Sequence, residues 1–143
     1  MALVPFTHAE ADMRDYARLV CSGMSVDDVH TPAEFAPLIA DGRVLAWWWL
    51  EGGEKVGWCA LCPWHGKYAE KAWHLYGVWV REDWRRKGLA EAMWRARIAM
   101  VPPQIPVTVS VQPGKTGSEA LLRKLGFQQV CWNDPWFEWV LEG

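Results

Sequence analysis

The sequence predicts an α/β chain of the α+β kind, and three observations predict it. Stretches with helical spacing of apolar residues alternate with short apolar or strictly alternating runs that read as strands, in the order β-α-α-β-β-β-α-β-α-β-β. At 143 residues, 51% of them hydrophobic, the chain is long enough for one domain with a sizeable core. No repeat, low-complexity stretch or linker divides it, so residues 1–143 read as a single domain.

The elements follow in order. Residues 2–6 suit a short strand. Residues 8–20 suit a helix, with Met13, Tyr16, Ala17 and Val20 at helical spacing and Thr7-His8-Ala9-Glu10 as a capping box. Residues 21–30 are a polar connection. A second helix runs from Pro32 to about Ala40 behind the box Thr31-Pro32-Ala33-Glu34 and closes at Asp41-Gly42; Pro37 should leave it short or kinked. Arg43 to Glu51 and Lys55 to Pro63, joined by Gly52-Gly53, read as an antiparallel hairpin. Trp47, Trp48 and Trp49 are consecutive and must point to both faces of their strand, which fits an inner strand covered on both sides. Core packing explains them; an aromatic-lined pocket for a cationic amine is the functional alternative. Residues 65–71 read as a loop and Ala72 to Val80 as the next strand.

A helix starting near Gly88 carries the stripe Leu89, Met93, Ala96, Met100 and is stopped by Pro102-Pro103. Val107-Thr108-Val109-Ser110-Val111 alternates as a strand. The last helix, from about Gly117 to Leu125, has a capping box in Thr116-Gly117-Ser118-Glu119 and a C-terminal cap in Gly126. Phe127 to Trp132 and Trp136 to Leu141 form a closing hairpin around Asn133-Asp134-Pro135.

One stretch is unlike the rest. Val80-Arg-Glu-Asp-Trp-Arg-Arg-Lys-Gly-Leu-Ala90 leads from a strand through a basic turn into a helix with no Ser, Thr, Asp or Asn at its N-cap. Three of the four expected helices carry their own side-chain cap; this one needs another acceptor for its first N–H groups. Such an end, with Arg and Lys beside it, suits a phosphate-bearing ligand. A solvated charged loop is the plainer alternative.

Arg85-Arg86-Lys87-Gly88-Leu89-Ala90 resembles the Arg/Gln-x-x-Gly-x-Gly/Ala motif of the GNAT superfamily of N-acetyltransferases. Val78-Trp79-Val80 resembles that family's fourth strand, and Glu119-Ala-Leu-Leu-Arg-Lys-Leu-Gly-Phe127 its second motif. The resemblance covers residues 43–141; before that only the helix pattern agrees. It implies a mixed, mostly antiparallel sheet of about seven strands with helices on both faces. It implies transfer of an acetyl group from acetyl-CoA to an amine, by direct attack on the thioester. The pyrophosphate would lie on the N–H groups between Arg86 and Ala90, Leu89 included, where Gly88 permits close backbone approach. Arg85, Arg86 and Lys87 would add attraction. Val78 and Val80, flanking Trp79, would pair their backbones with the pantetheine arm. Lys115 stands where many members carry an Asn and joins the CoA-binding set.

The resemblance departs from the family at the chemistry. An alkylamine with a pKa of about 10.4 is mostly protonated near neutrality, so a base is useful. Family bases often are a Glu on the fourth strand, but Trp73-His74-Leu75-Tyr76-Gly77 contains no carboxylate. His74 and Tyr76 share a face with Val78 and are the candidate catalytic residues, His74 as base and Tyr76 to position substrate or water. Many members place a proton-donating Tyr in the last helix where this chain has Leu122. These departures motivate an alternative: a catalytically weak GNAT-fold protein that binds or senses acyl-CoA. A third alternative is a partner-binding domain that uses exposed Trp residues.

Other features mainly exclude. A net charge of −2 argues against a general nucleic-acid or anionic-membrane binder. The N-terminus lacks a signal-peptide layout, and Val44 to Leu50 is too short to span a bilayer, so a cytoplasmic protein is expected. Cys59-Ala60-Leu61-Cys62, with His65, Cys21, His74 and Cys131 elsewhere, has zinc-knuckle spacing. The pair sits in a strand-like run, where residues three apart face opposite ways, so reduced thiols and no metal are expected. Gly114-Lys115-Thr116 resembles the end of a P-loop, but Val109 stands where the motif needs Gly. The expected partner is a small-molecule or peptide amine, and oligomeric state is left open, a homodimer included.

Overall fold

A computed structural model of the chain describes residues 3–23, 30–63, 72–111, 116–133 and 136–142. Among them are seven strands, hydrogen-bonded in the order β1-β2-β3-β4-β5-β7-β6, and four α-helices. The registered pairs β1–β2, β2–β3, β5–β7 and β6–β7 are antiparallel, and β4–β5 is parallel. The chain divides into two compact units, Met1–Leu61 with Gly77–Met93, and Cys62–Tyr76 with Trp94–Gly143.

In the first unit β1 (Leu3–Pro5) pairs with β2 (Leu45–Glu51), which pairs with β3 (Glu54–Cys62). Gly52 and Gly53 both have positive φ, 57° and 81°, as a two-residue hairpin turn of the favoured hand requires. The three consecutive tryptophans use both faces as expected. Trp48 packs with Phe6, and the Phe6 ring also meets Tyr16, Phe35 and Trp58. Trp47 and Trp49 pack on the opposite cluster of Val56, Cys59, Leu89 and Met93. Opposite Trp49 and Leu50 stand Gly57 and Lys55, so Val56 is the extra residue of a bulge.

The first helix differs from expectation. Helix α1 spans only Glu10–Asp15; a π-helical turn, Tyr16–Val20, and a 3-10 turn, Cys21–Gly23, continue it. Tyr16 and Val20 are buried, and Tyr16 stacks on Phe35 with centroids 4.9 Å apart. The expected capping box at Thr7 does not form, since the N-cap is Ala9 and makes no side-chain bond. Asp12 outcompetes Glu10 for Thr7. Its Oδ2 accepts both the Thr7 N–H (2.8 Å) and the Thr7 hydroxyl (2.9 Å), while its Oδ1 accepts the buried Trp48 indole N–H (3.1 Å). The box at Thr31 does form: Glu34 N–H donates to Thr31 Oγ1 and Thr31 N–H to Glu34 Oε1. Helix α2 (Pro32–Ala40) continues through Pro37.

In the second unit the start of β4 (Trp73–Val80) runs parallel to β5 (Val107–Val111), registered at Trp73↔Val107 and His74↔Thr108. Strands β6 (Gln128–Asn133) and β7 (Trp136–Leu141) form the closing hairpin, its turn lying outside the described residues. Helix α4 (Thr116–Lys124) ends at Gly126, φ 95°. Gly126 N–H donates to Arg123 O and Phe127 N–H to Leu122 O, the bond pair of a Schellman cap, with Leu122 and Phe127 both buried. The side chain behind the expected cap at Thr116 lies outside the described residues.

Helix α3 (Leu89–Met100) corrects the expected stripe. Leu89 and Met93 are buried, but Met100 is 38% exposed and Arg97 only 1%. The buried row runs Leu89, Met93, Arg97 at spacing four, with Trp94 beside it. A buried guanidinium needs acceptors, and one nitrogen of Arg97 reaches the Tyr76 carbonyl at 3.5 Å.

Candidate active site

The turn between β4 and α3 is built from backbone upward. The bulged Val56 carbonyl accepts the Arg81 N–H at 2.8 Å and fixes the start of the turn. The Arg81 side chain bridges Glu54 (3.0 Å) and Asp83 (2.6 Å). Hydrogen bonding to Arg81 holds the Asp83 carboxyl below its usual range, and the same bonds raise Arg81. A single 3-10 turn, Glu82–Trp84, follows, and Arg85 Nε donates back to the Val80 carbonyl at 3.0 Å. Arg86 and Gly88 then take positive φ, 63° and 81°. Left-handed residues interspersed in a turn bring successive N–H groups toward one concave side, an arrangement that binds anions.

Helix α3 starts directly after it. The Ala92 N–H donates to Gly88 O at 3.0 Å, so Gly88 occupies the N-cap and has no side chain to cap with. The helix N–H groups ahead of Ala92 therefore have no intrahelical acceptor. Buried Leu89 anchors the helix start in the cluster that also packs Val78, Val80 and Trp84. Arg85, Arg86, Lys87 and Gly88 are exposed, Ala90 is half-buried and Trp79 is buried. Lys87 Nζ lies 4.9 Å above the Trp84 ring. The basic residues thus differ: Arg85 ties the turn to β4, Lys87 rests on an indole, and Arg86 supplies the left-handed backbone step. A Cβ built on Gly88 meets nothing within 4 Å, so its φ, rather than crowding within the chain, is what demands glycine there. Lys115 lies outside the described residues.

Within β4, Gly77 has φ 62°, a left-handed step inside a strand. A Cβ there would stand 2.8 Å from Cζ3 of the wholly buried Trp58. The start of the strand carries both candidate catalytic side chains. His74 and Tyr76 are half-buried and flank buried Leu75, as alternation along the strand requires. His74 Nδ1 lies 2.8 Å from Thr108 Oγ1, its cross-strand neighbour on β5. Leu122 is fully buried.

Burial pushes the Cys62 thiol up to about 11, against the opposing pull of the Arg97 charge, so the thiol stays protonated at neutral pH. No cluster of three or more potential metal-ligating His, Cys, Asp or Glu side chains occurs among the described residues. His65 and the Cys131 side chain lie outside them. No helix among the described residues is long and apolar enough to cross a membrane.

Three residues of this region were not singled out from sequence. Gly77 was the one with a usable signal, a lone Gly inside a strand pattern, which marks a bulge or a close approach. Thr108 sat in an unbroken alternation and becomes visible only through the β4–β5 register. Arg97 interrupted an apolar stripe, and a charged residue there reads as surface until its acceptor is known.

Strand order, the left-handed step at Gly77 and the glycine-capped helix after a basic turn are the features to set beside known folds. A family model, Acetyltransferase (GNAT) family, matches residues 11–127, and the chain belongs to that family. Solved structures agree in fold. An acetyltransferase from Thermus thermophilus matches with a TM-score of 0.75 at 19% identity, covering 99% of this chain and 96% of that one. Arabidopsis thaliana NAA60 in complex with acetyl-CoA matches with 0.73 at 13% identity, covering 98% and 97%. The aminoglycoside 6'-N-acetyltransferase of Acinetobacter haemolyticus matches with 0.69 at 19% identity, covering 93% and 94%. No curated protein matched the chain significantly.

Proposed function

We propose that this chain, as a single domain over residues 1–143, moves an acetyl group from acetyl-CoA to the nitrogen of a small-molecule or peptide amine. The observation that carries this is the turn from Arg85 to Gly88, with two left-handed residues and a glycine at the helix N-cap. Its N–H groups and the positive end of α3 suit a pyrophosphate, with Arg86 and Lys87 adding charge attraction. Val78 and Val80 offer backbone groups to the pantetheine amides, and Lys115 completes the CoA-binding set.

In the reaction the amine lone pair attacks the thioester carbonyl. The C–N bond forms, the C–S bond breaks, and CoA leaves as thiolate. The proton lost by the amine goes to His74, while Tyr76 orients the acceptor or an intervening water. A CoA thiol is about as acidic as a free Cys, whose pKa is about 8.5, so its departure needs little protonation. No replacement for the missing Tyr is then required, and Leu122 serves packing. The weak net charge of the chain favours an acceptor that is neither nucleic acid nor membrane.

A second reading, an acyl-CoA binder or sensor with little transfer activity, is favoured by one observation: Leu122 is buried where a proton donor is common. Two measurements test both readings. Acetyl-CoA should raise the melting temperature, and release of free CoA with a panel of primary amines should exceed the amine-free rate. Stabilisation without amine-dependent release would favour the sensor; no stabilisation would sink both.

A further inference from the structure

We propose that Thr108 is a positioning residue that fixes the tautomer of His74, holding the proton on Nδ1 so that Nε2 takes the proton of the amine; this rests on His74 being the base. Thr108 is 2% exposed on a strand buried on both faces, whose other buried residues, Val107, Val109 and Val111, are all valine. Valine has the same shape and a strand packs it without a hydrogen-bonding requirement, so a hydroxyl at this buried position calls for a partner. That partner is His74 Nδ1 at 2.8 Å, on the adjacent strand and in direct register.

A hydroxyl can donate to an imidazole nitrogen or accept from it. If Thr108 donated to Nδ1, the neutral ring would carry its proton on Nε2. Proton uptake would then fall to Nδ1, which faces the buried hydroxyl, and Nε2 could not act as the base. If Thr108 accepts, Nδ1–H stays bonded before and after Nε2 gains the proton. Only the second arrangement leaves Nε2 as the atom that takes up the proton while Nδ1 keeps its bond to Thr108. It also keeps an acceptor facing the imidazolium as the C–N bond forms and the C–S bond breaks.

The test is the tautomer itself, read by long-range nitrogen-15 NMR on the whole chain, with the His74 signals identified by their loss in His74→Gln. The wild type should show Nδ1 protonated and Nε2 unprotonated in the neutral ring. Thr108→Val should shift the proton toward Nε2, and Thr108→Ser should restore it. In turnover, Thr108→Val should lower kcat about tenfold, as removal of an orienting partner does elsewhere, and leave the KM for acetyl-CoA unchanged, with Ser again restoring it. A wild-type ring protonated on Nε2, or an unchanged tautomer in Thr108→Val, overturns the proposal. Should the Val variant fail to fold, the wild-type and Ser spectra still decide. Full turnover in His74→Gln would remove the base reading, and with it any catalytic part for Thr108, whatever the spectra show.

Discussion

The donor turn and the start of β4 differ in how they are made. Arg81 to Ala90 is contiguous in sequence, and the features that suit it to an anion are backbone: two positive φ values and a glycine N-cap at the start of α3. Trp73 to Tyr76 would act through side chains, and its contacts come from residues distant in sequence, Thr108 for the His74 ring and Arg97 for the Tyr76 backbone carbonyl. A site written in backbone conformation is recognisable as a local pattern and tolerates changes in its side chains. A site written in side chains can be altered residue by residue while the fold stays, which fits a chain that keeps the family's turn and lacks its Glu and Tyr.

That contrast can be broken experimentally, beginning with the largest effect. Gly88→Glu places a side chain and a negative charge where the pyrophosphate would lie, and forces a non-glycine residue to φ 81°. It should abolish the thermal shift given by acetyl-CoA; an undiminished shift would remove the turn from the donor site. His74→Ala should lower kcat about a hundredfold, the lower end of what a positioned base contributes, with acetyl-CoA affinity intact by titration calorimetry. If kcat holds, the side-chain half of the comparison is wrong.

Gly77→Ala probes the join between the two regions. A Cβ 2.8 Å from the buried Trp58 ring, on a left-handed backbone, should cost about 1–3 kcal/mol in denaturant unfolding. A change within error would show that the backbone at Gly77 relaxes freely. The smallest effect lies away from both regions. Lys55 donates to Asp15 at 2.5 Å and holds that carboxyl below its usual range. A depressed folded-state pKa contributes stability that is fully present above the unfolded value of about 3.9 and lost as pH falls through the folded value. Asp15→Asn should therefore be less stable than wild type at neutral pH and converge with it in strong acid. Parallel stability curves would show that the pair contributes nothing.

Most of the fold was legible because apolar spacing reports burial directly. The hairpin at Gly52-Gly53, the Thr31 box and the Gly126 cap are each settled by a few adjacent residues, and each appears as expected. The Thr7 box failed because two carboxylates lay within reach of one Thr, and the choice between them was made by Trp48, far along the chain. The α3 stripe slipped for the same kind of reason. Apolar content favoured Met100, while the acceptor that admits Arg97 to the interior belongs to β4. In the candidate site, the turn ahead of an uncapped helix was readable, as was the strand that carries His74. The left-handed step at Gly77 was marked by a single glycine, and Thr108 required register, a property of two strands together.

If the turn holds the donor as proposed, its anchoring bears on how fast the donor binds. Arg81 is tied to Val56 through its N–H and to Glu54 and Asp83 through its guanidinium, and Arg85 is tied to the Val80 carbonyl. The loop's conformational freedom is thus surrendered when the chain folds and not when the ligand arrives. A cradle set in advance would have no closing motion to wait for, so encounter would proceed at the pace of diffusion and charge attraction, and residence time would be the quantity that substitutions in the turn change.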